Sequence, residues 1–223
     1  MAFSGFPEGG PAFFAQLASR QDRDWFKAHK AEYERLWEVP MKALFEALHA
    51  RLKASFPKVG SPKHLRIYRD VRFSKDKAPF KTEIAASLPL FGGDALMGCG
   101  LYASFGRENV VGAGRWMMDG DELARYRKAL AGAGGAAFAK GVAKAKQAGY
   151  EVMVHEALKR VPPPYPAEHA RAELLKLKGF AVGFPKLPAS ALGDGKLVER
   201  IVKQTKAIAP LLKWLEAAAT GRK

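Results

Sequence analysis

Between Arg66 and Thr82 the chain reads RIYRDVRFSKDKAPFKT, with three arginines, three lysines and two aspartates inside one short stretch. Arginine forks bind multi-oxygen anions through paired hydrogen bonds, and lysines add compact point charges. If residues 65–73 form a strand, their side chains alternate between two faces. Leu65, Ile67, Val71 and Phe73 then point one way, with Arg69 set among them. Arg66, Tyr68, Asp70 and Arg72 point the other way, at steps of ~6–7 Å. On that face Asp70 can hold one guanidinium and leave the second for a phosphate or carboxylate. Tyr68 offers a hydroxyl and a flat ring against which a base or sugar could rest.

The following turn, SKDKAP, adds Lys75, Asp76 and Lys77, Pro79 fixes the chain direction, and Lys81 opens the next strand. The candidate anion-binding set is therefore Arg66, Tyr68, Asp70, Arg72, Lys75, Asp76, Lys77 and Lys81. The competing reading is a charged hairpin whose exposed cross-strand ion pairs are each worth under about 1 kcal/mol. Arg69 has a separate role. A guanidinium in an apolar row needs a carboxylate partner, which Asp24, Glu32, Asp76 or Glu83 could supply, so a buried ion pair tying the sheet to the N-terminal helices is expected. Asp70 and Asp76 could share a divalent ion or divide acid and base roles. The positive charge around them should depress both carboxyls, which argues against a general acid at neutral pH. The residues assign no catalytic group, cofactor or metal.

Elsewhere the chemistry is sparser. His29, His49, His64, His155 and His169 show no metal-ligand spacing with cysteine or one another. Cys99 is the single cysteine, so an internal disulfide is excluded, and its apolar setting predicts a small buried side chain. Neither a phosphate-binding P-loop nor a G-x-S-x-G elbow is present. Gly112 and Gly114 form a G-x-G without the longer dinucleotide fingerprint, which predicts a bulge or a close backbone approach. Lys and Arg number 37 against 22 Asp and Glu, a net charge of +15 that attracts phosphates, nucleic acid or anionic surfaces unless it is only solvated. The chain carries no apolar run near the ~18 residues of a membrane span and starts without a secretory pattern, so a cytoplasmic protein is expected.

The elements that must position these residues follow from periodicity. Residues 11–20 predict a short helix with Phe13, Phe14 and Leu17 inward. Residues 22–56 predict a long helix started by Asp22 or Asp24 and kinked or split at Pro40. The period then becomes two in LRIYRDVRF, TEIAASLP, GLYASFG and NVVGAGRWMM. Their short links require antiparallel pairing. Helices return over 119–131 and 137–149. A proline-stiffened connector precedes another helix before residue 178, and GFAVGFPKL can add a strand. The final helical stretch buries Leu197, Ile201, Ile208, Leu211 and Leu215, breaks near Pro210, and solvates Lys196, Arg200, Lys203 and Lys206. One α+β domain over 1–223 is expected, an antiparallel meander of about four or five strands packed against N- and C-terminal helices.

The motif also resembles a family of bacterial proteins, found too within some longer fungal chains, designated a domain of unknown function (number 2461 in that series). Its signature, an R-x-x-R-D-x-R-F run followed by [DN]-K-x-x-Y, maps onto Arg66, Arg69, Asp70, Arg72, Phe73, Asp76 and Lys77. Phe80 stands where the family usually has tyrosine, so a phenol hydroxyl there is not indispensable. FSGFP, DRDWF, LKRVPPPY and PLLKWL extend the resemblance almost end to end. It implies no activity, substrate or cofactor. The expected function is binding of a phosphate-bearing or other anionic ligand, nucleotide or nucleic acid. An enzyme acting on an anionic small molecule and a purely structural salt-bridge clasp are the alternatives.

Overall fold

The computed structural model describes residues 2–221. At the N-terminus α1 (Gly10–Arg20) buries Phe13, Phe14 and Leu17, and α2 (Arg23–Ala28) follows. Of the two expected caps, Asp22 serves: its carboxylate accepts the Trp25 N–H at 2.6 Å. The long helical stretch is divided at His29, not at Pro40. Beyond His29, α3 (Lys30–Tyr33) passes through a π-helical turn (Glu34–Glu38) into α4 (Val39–Leu52). Pro40 falls in the first turn of α4, where its missing N–H interrupts the ladder least, and the widened turn before it absorbs the mismatch. Trp37 in that turn is buried, stacks on Phe14 with centroids 4.8 Å apart, and donates from Nε1 to the Gly10 carbonyl at 3.1 Å.

Among the described residues the strands form one six-stranded antiparallel sheet. They are β1 (Lys63–His64), β2 (Glu83–Pro89), β3 (Gly100–Gly106), β4 (Val110–Arg115), β5 (Glu151–Met153) and β6 (Phe180–Gly183), in the order β1-β2-β3-β4-β6-β5. The expected meander is β2 to β4. The GFAVGFPKL strand, β6, pairs with β4, and β5, too short to show a period, lies outside it. Register places Ile84, Ala86 and Leu88 beside Phe105, Ala103 and Leu101, and these beside Val111 and Ala113. That face carries the aromatic core. Phe6 meets Phe105 at 5.3 Å, and Phe138 meets both Phe180 at 4.9 Å and Trp214 at 4.1 Å. Small residues, among them Ser87, Ser104 and Ala181, line the other face. Gly114 adopts φ +152°, and a Cβ there would strike the Phe180 carbonyl oxygen, so the G-x-G marks a close strand approach.

The remaining helices are α5 (Gly120–Ala131), α6 (Ala133–Gln147), α7 (Ala172–Leu175), α8 (Leu197–Ala207) and α9 (Ala209–Thr220). Asp119 and Glu122 close a reciprocal capping box on α5. Pro210 sits in the first turn of α9, so the final break falls where proline predicts it. Leu197, Ile201, Ile208, Leu211 and Leu215 are buried, while Lys196, Arg200, Lys203 and Lys206 are exposed.

Several arginines serve the fold. Arg171 donates to the Leu130 and Ala131 carbonyls at 2.6 and 2.8 Å, capping α5. Arg127 caps α7 through Leu175 at 3.0 Å, and Arg125 caps α9 through Ala219 at 2.6 Å. Arg115 has only 7% of its side chain exposed and pairs with Glu122 of α5 and, at 3.1 Å, with Glu216 of α9. Part of the net charge is thereby committed to helix ends and a buried ion cluster. Cys99 is buried, as its apolar setting implies. No helix among the described residues is long and apolar enough to cross a membrane.

Candidate functional site

The segment expected to be the first strand is extended but irregular. Tyr68 forms an isolated bridge with Phe80, and β1 itself ends at His64. Antiparallel backbone bonds persist as far as Arg69, whose N–H donates to the Pro79 carbonyl at 2.9 Å while the Lys81 N–H donates to the Ile67 carbonyl at 2.8 Å, and beyond it local polar bonds replace the ladder. Asp70 accepts from Arg72 Nε at 3.0 Å, from Arg72 Nη2 at 2.7 Å and from the Arg72 N–H at 3.3 Å. Asp76 accepts the Ala78 N–H at 2.9 Å, and Lys77 Nζ donates to the Val71 carbonyl at 3.0 Å. Alternation nevertheless survives in part. Ile67 is buried and Leu65, Arg69 and Val71 are half-buried, while Arg66, Tyr68, Asp70 and Arg72 are exposed. Phe73 departs from it, being 95% exposed at the loop tip.

Arg69 pairs with Asp76 and donates to the Ala78 carbonyl at 3.2 Å, but 29% of its side chain and 64% of Asp76 remain exposed. The expected buried pair to the N-terminal helices is thus a local, half-open loop brace, because its carboxylate comes from the same turn. The link to the helices is Gln21, whose amide accepts the Phe80 N–H at 3.0 Å and donates to the Phe80 carbonyl at 3.3 Å. Phe80 also packs on Phe26 at 4.5 Å and on Tyr68 at 5.2 Å. Ring packing accounts for an aromatic at position 80 without a hydroxyl.

Of the expected set, Arg66 and Tyr68 line a cleft. A cleft of about 340 Å³ opens between the N-terminal helices and the β1 edge, where Lys30, Tyr33, Glu38 and His64 join them. Its size lies at the small end of ligand pockets, ~300–1,000 Å³. Phe26, 5.6 Å from Tyr33 and 6.0 Å from Tyr68, gives it an aromatic wall. Glu38 is neutralised by Lys42 at 2.6 Å, and Lys30 meets Glu34 at 3.4 Å in an exposed pair that is cheap to open. Arg66 makes no ion pair among the described residues, and its field adds a lesser pull to the one Arg72 exerts on Asp70. Asp70, Arg72, Lys75, Asp76, Lys77 and Lys81 lie outside the cleft, on the loop beside it.

Electrostatics divides these groups. The hydrogen bonds from Arg72 hold the Asp70 carboxyl below its ordinary range, and the Ala78 N–H, followed by Arg69, does the same for Asp76. Both aspartates are anchors for arginine. Burial raises the Tyr33 phenol, with Glu38 adding to it. At His64, burial and then Lys42 outweigh Glu46 and Glu38, lowering the imidazole from 6.5. An NMR titration of the His64 ring should therefore show a midpoint below 6.5. The imidazole resists charging in the folded state, so its stabilising contribution is fully present above the unfolded value and is lost as pH falls through the lower folded one. A midpoint above 6.5 would mean that Glu38 and Glu46 dominate.

Lys30, Tyr33, His64 and Gln21 escaped the motif because they lie before it in sequence. The available signal was His64, two positions from Arg66, and the helical spacing of Phe26, Lys30 and Tyr33. A second, shallower groove of about 500 Å³ is lined by Lys159, Arg160, Tyr165 and Lys176 with Pro163 and Pro164. One local stretch supplies most of that wall, whereas the cleft draws on α2, α3, the π turn, β1 and β2.

These features define an α+β protein in which a braced basic loop and a small cationic cleft sit at one sheet edge. The chain belongs to the family described as conserved hypothetical protein (DUF2461), whose model matches residues 11–214. A search of curated proteins finds no match.

Proposed function

We propose that the protein binds a phosphate-bearing ligand of about mononucleotide size in the cleft. The observation that carries this reading is Arg66, a guanidinium without an ion pair among the described residues, at the mouth of a cleft that also holds Lys30. Asp70 occupies the fork of Arg72 and leaves that of Arg66 open. Tyr68 provides aromatic surface for a base or another flat group, backed by the buried Phe26 and Tyr33.

The test is titration of a nucleoside diphosphate at low salt. Arg66→Ala should weaken binding about 10- to 100-fold, the effect of losing one charge-assisted interaction of ~1.5–3 kcal/mol. Arg66 is exposed, so the variant should melt like the parent. Undetectable binding at low salt, or an affinity indifferent to Arg66, would reject the reading.

His64 favours a second reading. A neutral imidazole facing a cationic cleft can accept a proton from a bound anionic substrate, which would make the protein an enzyme acting on such a molecule. Binding without turnover across anionic substrates would remove this second reading and leave the first.

A further inference from the structure

The geometry points to single-stranded nucleic acid as the ligand class, with Phe73 as a stacking platform beside the cleft; the inference rests on the phosphate-binding reading above. Phe73 is 95% exposed, an unusual position for a phenylalanine. A cation stands beside the ring. The Arg72 guanidinium lies 5.8 Å from its centroid, and the Asp70 carboxylate holds that guanidinium by two side-chain bonds. Lys77 pins the base of the loop through the Val71 carbonyl, and Lys75 is exposed beside the tip.

The cation stands beside the ring without covering it, so the ring is open to a base. Tyr68, half exposed at the cleft mouth, is five residues away, at most about 18 Å of extended chain. Two aromatic surfaces flanked along the chain by Arg66 and the exposed Lys75 match the way single strands are held, by stacking of unpaired bases and attraction of the backbone. A duplex keeps its bases stacked internally and cannot use the tip in this way. An anionic bilayer could receive Phe73, but a planar surface does not fill the cleft that Arg66 borders. A flexible strand can place one nucleotide there and lay a neighbouring base on Phe73.

The experiment compares three probes on the full chain: a nucleoside diphosphate, a labelled oligothymidylate of about twelve nucleotides, and phosphatidylserine vesicles. Phe73→Ala should weaken oligonucleotide binding about 5- to 100-fold and leave the nucleoside diphosphate unaffected. Phe73→Trp should preserve oligonucleotide binding, with its fluorescence quenched on stacking. Arg66→Ala should weaken both nucleotide probes. If oligonucleotide affinity ignores Phe73 while the diphosphate still depends on Arg66, the stacking inference falls and the cleft reading stands. If neither probe binds, both fall. Vesicle binding that depends on Phe73, without a matching effect on the oligonucleotide, overturns the inference in favour of a membrane surface.

Discussion

Arg115→Ala should lower the free energy of unfolding by about 3–5 kcal/mol, measured by chemical denaturation. The guanidinium is enclosed between Glu122 and Glu216, whose side chains are themselves only 18% and 17% exposed. It also donates to the Met97 carbonyl at 3.3 Å. Removing the one cation leaves two poorly hydrated carboxylates facing each other. It also severs the polar tie between β4, α5 and α9. Adding Glu122→Gln and Glu216→Gln to the same variant should recover part of the loss by removing those charges. Arg69→Ala, which breaks an exposed pair, should cost under about 1 kcal/mol. A stability for Arg115→Ala within about 1 kcal/mol of the parent would show that the carboxylates hydrate freely and that the cluster does not anchor the fold.

Trp37→Ala is the second large loss, about 3–5 kcal/mol by denaturation. The indole is 1% exposed, stacks on Phe14, lies 5.3 Å from Phe6, and hydrogen-bonds the Gly10 carbonyl. Gly10 has no Cβ, and one would press within 2.7 Å of the indole ring. Truncation would open a cavity at the junction of the N-terminal tail, α1 and the π turn that delivers Glu38 to the cleft. Trp37→Phe keeps much of the packing and loses the indole hydrogen bond, so its cost should be much smaller. Equal effects from the two variants would mean that the hydrogen bond, not ring packing, holds this junction.

Period-two runs made β2, β3 and β4 legible, since each exceeds five residues and one face is strongly apolar. β1, of two residues, and β5, of three, are too short to display a period. The motif misled for a different reason. Its alternating apolar residues satisfy a strand template, but Asp70 and Asp76 accept nearby N–H groups and pull the chain into local turns. Arg69 was therefore a poor guide to the buried ion pair. Arg115 was the better one, because continuing the alternation from Val111 and Ala113 places it on the core face. No spacing rule could bring Lys30 to the mouth beside Arg66, because that meeting depends on how the N-terminal helices pack across the β1 edge.

The Gln21 amide has a consequence for self-association. A strand that runs past the end of its neighbour, as the chain before β2 runs past the Glu83–Gly106 pair with β3, presents unpaired N–H and C=O groups that can recruit a foreign strand and seed aggregates. Phe80 directs its donor and acceptor away from Tyr68, and a single carboxamide engages both. Gln21 thus imitates one residue of a neighbouring strand and blocks the template at the point where the loop rejoins the sheet.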